Sequence, residues 1–120
     1  SQIQLKHDIQ SWLVDNGFGK FSPSDITFPW WIESELSQAI DCLLTFSTKD
    51  WMLTPRHKGK WPHKNIADLC EKIDADPALA DISSANIILM HDDHEDSLTI
   101  SERLVTHFLN QDFRFLPFLP

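Results

Sequence analysis

The chain has 120 residues, of which 42% are hydrophobic, and this is enough for one domain with a buried core rather than a disordered polypeptide. Ten basic residues against 18 acidic ones give a formal net charge of −8, which disfavours nonspecific binding to nucleic acid or to an anionic membrane. Cys42 and Cys70 are too few for a disulfide framework or a zinc knuckle, so two buried thiols in a reduced compartment are expected. Because no apolar run approaches the roughly 20 residues of a membrane span and no export signal is visible, we expect a cytoplasmic protein if the chain is complete.

The first third of the chain predicts two helices and a strand. Apolar residues at helical spacing predict a helix over about residues 3–15, and Asn16-Gly17 is a natural stop. After a loop rich in Gly, Ser and Pro, Pro29 suits the first position of a second helix. We expect this helix to run to about residue 39 and a strand to follow at 40–46.

The remainder of the chain predicts helices alternating with buried strands. Asn65 can cap a helix with an apolar face, and residues 86–90 predict a short, fully buried strand. A capping-box pattern at Thr99 precedes a helix over 100–109, and the alternation in 112–116 predicts a last strand. This order predicts a single α/β domain over residues 1–120, with a mostly parallel sheet and crossover helices.

Six residues that can bind metal or transfer protons follow the buried strand directly, in the run His91–Asp96. In parallel α/β folds the reactive groups cluster beyond the carboxyl ends of the strands, which is where His91 would lie. An imidazole beside carboxylates can serve as a general acid. A solvated turn is the alternative interpretation of the same residues.

The motifs around His91 resemble those of a known enzyme family. Leu89-Met90-His91-Asp92 matches a Leu-x-His-Asp motif that ends an apolar strand, and Asp50-Trp51 resembles an upstream Asp-Trp motif. In this order, and with the helix and aromatic segment that follow, residues 40–118 resemble the C-terminal half of the polysaccharide deacetylases (NodB-type, carbohydrate esterase family 4). The resemblance implies part of a deacetylase (β/α) barrel and hydrolysis of N-acetyl groups on carbohydrate.

The resemblance also implies a role for four residues of this chain. His91 would be the general acid that protonates the departing amine, and Asp50 would tune the charged groups of the site. Leu89 would help to line the pocket for the acetate methyl group, and Trp51 would form a wall of the site.

A complete member of this family holds a divalent metal, expected to be zinc, which polarises the amide carbonyl and activates water. Its ligands are an Asp in a Thr-Phe-Asp-Asp-type motif and two His in a His-x-x-x-His-type motif, and neither motif occurs in this chain. We therefore expect no metal on this chain alone and no activity in isolation. The chain would be a fragment, a split subunit or a degenerate relative, and its partner would be a carbohydrate substrate or the complementary half of the fold, in a homodimer or a hetero-complex.

The residues also leave other functions open. A small acidic protein could neutralise a basic partner, as immunity proteins do, and Trp61 in the basic loop 56–64 is a candidate interface anchor. Instead of a protein partner, the same loop could contact sugar or phosphate. A further alternative is a self-contained metal site in His91–Asp96, with mixed nitrogen and oxygen ligands.

Overall fold

The computed structural model describes residues 1–19, 25–34 and 44–117. Within these ranges the chain forms five α-helices, one 3₁₀ helix and two short strands, in the order α1 (Gln2–Asp15), α2 (Pro29–Ile32), β1 (Phe46–Ser47), the 3₁₀ helix (Asp50–Leu53), α3 (Ile66–Ala75), α4 (Pro77–Ala80), β2 (Ile88–Leu89) and α5 (Ser97–Asn110). The two strands pair in parallel, with Phe46 opposite Ile88 and Ser47 opposite Leu89. Helices combined with a parallel strand pair agree with the predicted α/β class. Among the helices described, none is long and apolar enough to cross a bilayer.

The chain divides into two compact units, of which the first contains Ser1–Thr45 and Ile82–Ile87. Its helix α1 has nearly the predicted bounds, because the Ser1 hydroxyl caps its start and the backbone leaves the helix at Asn16. None of the residues in α1 is buried. Trp31 of α2, in contrast, is only 3% exposed.

The second helix of this unit is shorter than predicted. Pro29 is its first residue, as expected, but α2 ends at Ile32 rather than near residue 39. The Ser34 hydroxyl donates to the Trp31 carbonyl at 3.0 Å, and it thereby occupies an acceptor that a longer helix would need for its own backbone. Residues 35–43, which include most of the predicted strand and Cys42, lie outside the described part of the chain.

Of the strand predicted at 40–46, residues 44–46 are described, and only Phe46 among them belongs to a strand, β1, which continues to Ser47. Thr45 precedes it and binds the opposite segment partly through its side chain. Its hydroxyl accepts the Ile87 amide at 2.9 Å and donates to the Asn86 side chain at 2.8 Å. Side-chain hydrogen bonds thus replace part of the backbone ladder before the strand begins.

The second unit, Phe46–Asp81 with Ile88–Pro120, contains both strands and the hydrophobic core. Eight buried apolar side chains form this core: Phe46, Leu53, Leu69, Ile73, Leu79, Ile100, Leu104 and Phe108. Helices α3 and α5 contact each other across it. The predicted cap of α3 is confirmed, since the Asn65 side chain accepts the Asp68 amide at 2.9 Å.

Two predictions in this part of the chain are wrong in detail. The strand predicted at 86–90 is limited to β2, and it is not fully buried, because Leu89 is 37% exposed. Helix α5 begins at Ser97, so that Thr99 lies inside the helix instead of capping it. Helix α3 ends at Ala75, and the segment after it forms the short helix α4, whose start is capped by the Asp76 carboxylate.

The last strand, predicted at 112–116, is absent from the described chain. Asp112 has a φ of 64°, which turns the backbone directly after α5. The Phe113 amide then donates to the Phe108 carbonyl at 3.0 Å, and the two rings meet at 5.1 Å. The aromatic segment therefore folds back onto α5 rather than joining a sheet.

Candidate functional site

The pairing of β1 with β2 brings two segments to the same edge of the second unit. Parallel strands have their carboxyl ends together, so the residues after Ser47 and after Leu89 are neighbours in space. Thr48, which is fully buried, fixes this register. Its amide and its hydroxyl both donate to the Leu89 carbonyl, at 3.2 and 3.0 Å.

A tight turn after β1 places Asp50 inside the protein. Lys49 adopts the left-handed conformation with a φ of 61°, and Asp50 then begins the 3₁₀ helix. The Asp50 amide lies 3.4 Å from the Thr48 hydroxyl that accepts it. The carboxylate is thereby directed inward, and Asp50 is only 1% exposed.

Asp50 and His91 form a hydrogen-bonded pair through both carboxylate oxygens. The His91 amide donates to Asp50 Oδ2 at 2.7 Å, and His91 Nδ1 lies 2.8 Å from Asp50 Oδ1. An ionised carboxylate accepts hydrogen bonds only, so the tautomer that matches this contact carries its proton on Nδ1. The backbone contact and the ring contact together hold the imidazole in one orientation.

The other ring nitrogen of His91 is available for chemistry. Nε2 forms no hydrogen bond to any described residue, and the side chain is 33% exposed. With Nδ1 bound to a buried carboxylate and one third of the side chain exposed, Nε2 is the ring atom left to release or accept a proton. A second aspartate, Asp92, follows directly and is exposed.

The structure thus brings together two of the four predicted site residues. Trp51 is joined to the pair through the chain, because it follows Asp50 in the 3₁₀ helix and is half-buried. Leu89 lies at the end of β2 with a side chain that is 37% exposed, and its carbonyl is held by Thr48.

An aromatic group around Trp51 was not predicted from the sequence. Its ring contacts His57 and Trp61 edge-on, each with a centroid distance of 5.2 Å. The Trp61 indole donates to His57 Nδ1 at 3.2 Å, which locks the two side chains together. The spacing of four residues between His57 and Trp61 was the available signal, since such a pair meets when the chain turns helically.

The basic loop also reaches the segment that follows His91. Lys58 and Lys64 line a shallow cavity of about 280 Å³ together with Asp96 and Thr99. Asp96 is the last residue of the acidic run, and Thr99 lies in the first turn of α5. The cationic and the acidic loops of the second unit are therefore neighbours.

The described residues offer no arrangement that would hold zinc. Among the residues with described positions, no group of three or more His, Cys, Asp or Glu side chains comes together to hold a metal ion. The acidic run does not converge either, since His91 binds Asp50 while both ring nitrogens of His94 are buried without a partner in this part of the chain. The alternative of a self-contained metal site in His91–Asp96 has no support from this geometry.

A lysine supports the carboxyl end of β1 from α3. Lys72 Nζ donates to the Ser47 carbonyl at 2.8 Å and lies 3.7 Å from the centre of the Phe46 ring. Burial lowers the pKa of Lys72, and the positive charge of Lys49 lowers it further, whereas Asp76 opposes this shift. Burial likewise raises the pKa of the Cys70 thiol on the same helix, and the Asp74 charge adds to the rise. These groups shape the strand end that positions Asp50.

Comparisons with known proteins do not place the chain in a family. No protein-family model matches it, and neither a curated protein nor a solved structure is similar to it.

Proposed function

We propose that this chain supplies the general acid of a carbohydrate N-deacetylase, as the C-terminal part of a polysaccharide-deacetylase-like (β/α) fold. The observation that supports the proposal is the pair formed by Asp50 and His91 at the carboxyl ends of two parallel strands. Both residues belong to the motifs that carry the resemblance, and they lie 41 positions apart in the chain. A solvated turn would not require a carboxylate that is 1% exposed.

The proposed chemistry uses one proton on His91. In the breakdown of the tetrahedral intermediate of an amide, the carbon–nitrogen bond breaks and the departing nitrogen needs a proton. His91 Nε2 donates it, and the bond pair of electrons leaves with the nitrogen as a neutral amine. Asp50 accepts the Nδ1–H throughout, so that the ring keeps its orientation and its positive charge faces a negative one before transfer.

Trp51 and Leu89 contribute shape rather than charge in this proposal. The half-buried indole of Trp51 forms a wall beside the pair, and the exposed Leu89 side chain offers apolar surface for the acetyl methyl group. The carbonyl-activating half of the reaction is assigned to no residue of this chain. The proposal therefore includes a complementary polypeptide segment or a second chain.

The test is acetate release from N-acetylglucosamine oligomers by the protein isolated from its native cell with its accompanying polypeptides. His91→Ala is expected to lower turnover by about 100-fold or more, the typical contribution of a general acid, while the metal content of the preparation stays unchanged. His7→Ala is the matched control, because it removes an exposed imidazole of α1 and should leave turnover unchanged.

Three results would contradict the proposal. The wild-type preparation could release no acetate, or the accompanying polypeptide could be a basic toxin whose lethality this acidic chain suppresses. The second result would instead establish the immunity-type function. Loss of metal together with turnover in His91→Ala would also refute the role of His91, since it would make His91 a ligand.

A further inference from the structure

The loop over residues 56–64 has the opposite charge to the rest of the chain. It contains four of the ten basic residues and no acidic one, which leaves six basic residues against 18 acidic ones elsewhere. The ammonium groups of Lys60 and Lys64 donate to carbonyls within the loop, to Arg56 and Gly59. Arg56 and Lys58 are exposed and form no ion pair with any described residue. Their charges are therefore available to a ligand.

The same loop presents an aromatic surface. Trp61 is 42% exposed, although its ring is held by Trp51 and by the hydrogen bond to His57. A fixed and exposed indole offers one face to a ligand at a low cost in side-chain entropy. The apolar C–H face of a pyranose ring packs well on such a face, because the C–H bonds point their positive ends at the π electrons.

Two features connect this surface with the segments that carry Asp50 and His91. Trp51, which contacts Trp61, is the next residue after Asp50, so one member of the aromatic group belongs to the 3₁₀ helix that carries the carboxylate. Lys58 reaches the cavity that Asp96 lines, five residues after His91. The proposed function then requires a glycan stacked on Trp61 to extend to a ring whose N-acetyl group reaches His91.

We propose that loop 56–64 binds an anionic polysaccharide, so that the substrate of this site is an N-acetylated glycan that carries carboxylate groups. Trp61 stacks on a pyranose ring, and Arg56 and Lys58 pair with the acidic groups of neighbouring rings. The proposal rests on the proposed function for the position of the reacting N-acetyl group. Binding itself is measured without turnover.

Single-stranded nucleic acid also binds to aromatic residues beside cations, but the charge of this protein disfavours it. Apart from the loop, the surface is strongly acidic, and a polymer with one charge per residue is repelled along its length. A glycan with one carboxylate per two sugars places fewer charges near that surface. The local contact with Arg56 and Lys58 is then favourable without a large opposing field.

The experiment measures binding of three probes to the purified protein by calorimetry: a hyaluronan oligosaccharide, an N-acetylglucosamine oligomer of equal length, and oligothymidylate. We expect hyaluronan to bind about tenfold more tightly than the neutral oligomer at low salt, and the difference to shrink as salt screens the charges. Oligothymidylate should bind more weakly than hyaluronan.

Two variants assign the contacts. Trp61→Ala should weaken binding of both sugars by about fivefold or more, as expected for the loss of one aromatic contact. The double variant Arg56→Gln/Lys58→Gln should weaken only the binding of hyaluronan. Trp30→Ala is the matched control, since Trp30 is 45% exposed and lies in the first unit.

The outcomes separate this inference from the proposed function. Equal affinity for the two sugars, unchanged binding in Trp61→Ala, or tighter binding of oligothymidylate would overturn the glycan surface. None of these results depends on His91. Conversely, hyaluronan binding that requires Trp61, in a preparation that releases no acetate, would keep the glycan surface and reject the deacetylase proposal.

Discussion

Asp50 is a carboxylate in a place where an unpaired charge would be strongly unfavourable. Its side chain is 1% exposed, and its two oxygens bind one amide and one imidazole of the same residue, His91. The pair therefore has a structural as well as a chemical consequence. Each partner satisfies a group that the other would leave without a hydrogen bond.

Asp50→Ala is predicted to lower the free energy of unfolding by about 2 to 3 kcal/mol, because the His91 amide loses its only described acceptor and the ring loses its anchor. Denaturant unfolding measures this change. Asp93→Ala removes an exposed carboxylate from the loop after His91 and should change the stability by less than about 0.5 kcal/mol. Equal effects of the two substitutions would show that the buried pair contributes nothing particular.

At this scale the sequence predicted the contact but not its surroundings. His91 and Asp50 could be paired because each follows a strand and parallel strands end together. Their roles in catalysis remain predictions. The contact between Trp61 and Trp51 was not predicted, because it depends on the conformation of the ten residues that follow Trp51. Loop conformation leaves no periodic pattern in the sequence.

Within the second unit, helices α3 and α5 pack against each other through buried apolar side chains. Leu69 and Leu104 are completely buried there, and Phe108 is as well. The helices are also joined at the surface, where His107 Nε2 lies 2.7 Å from Asp74 Oδ1. An exposed pair of this kind contributes little to stability, so the buried apolar side chains carry most of the packing energy.

Phe108→Ala is predicted to destabilise the protein by about 3 to 5 kcal/mol, since it removes a completely buried ring that also contacts Phe113. The thermal unfolding midpoint should fall accordingly. Leu109→Ala in the next position is the control, because Leu109 is 53% exposed and its loss should cost less than about 1 kcal/mol. A Phe108 variant that unfolds like the wild type would refute the assigned core.

Helices were more predictable than strands in this chain. The helical spacing of apolar residues indicated both α1 and α3, because the pattern and the caps agree. The alternation at 112–116 was misleading, since Phe113 and Phe115 both approach the ring of Phe108, at 5.1 and 6.5 Å. In any extended segment, side chains two residues apart point to the same side, whether or not a neighbouring strand pairs with the segment.

At the scale of the molecule, the Asp50–His91 pair is well defined, whereas the described residues assemble no metal-binding group around it. The metal-binding motifs of the resembling family do not occur in the sequence, and no metal-binding group assembles among the residues described. At this scale the sequence predicted the α/β class but overestimated the sheet, because β2 covers two of the five residues expected at 86–90 and the described chain has no strand at 112–116. Only two residue pairs of the parallel ladder are present in the described chain.

The purified 120-residue protein is predicted to release no acetate from N-acetylglucosamine oligomers, with or without added zinc, because it supplies a proton donor and no means to activate the carbonyl. Acetate is measured in a coupled assay. The control is the preparation with its native accompanying polypeptides, which should be active. Zinc-dependent release by the purified protein alone would refute this prediction.

The register of the two strands also decides when the pair can exist during folding. Asp50 and His91 lie 41 positions apart, so their meeting closes a long loop at an entropic cost that grows with its length, about 3 kcal/mol before constant terms. Helix α3 lies within that loop and forms from local contacts, which are the faster ones. Closure of β1 on β2 is consequently a late event, and Asp50 meets His91 only after the local helical contacts have formed. A nascent or partly denatured chain therefore lacks the contact that orients the His91 ring.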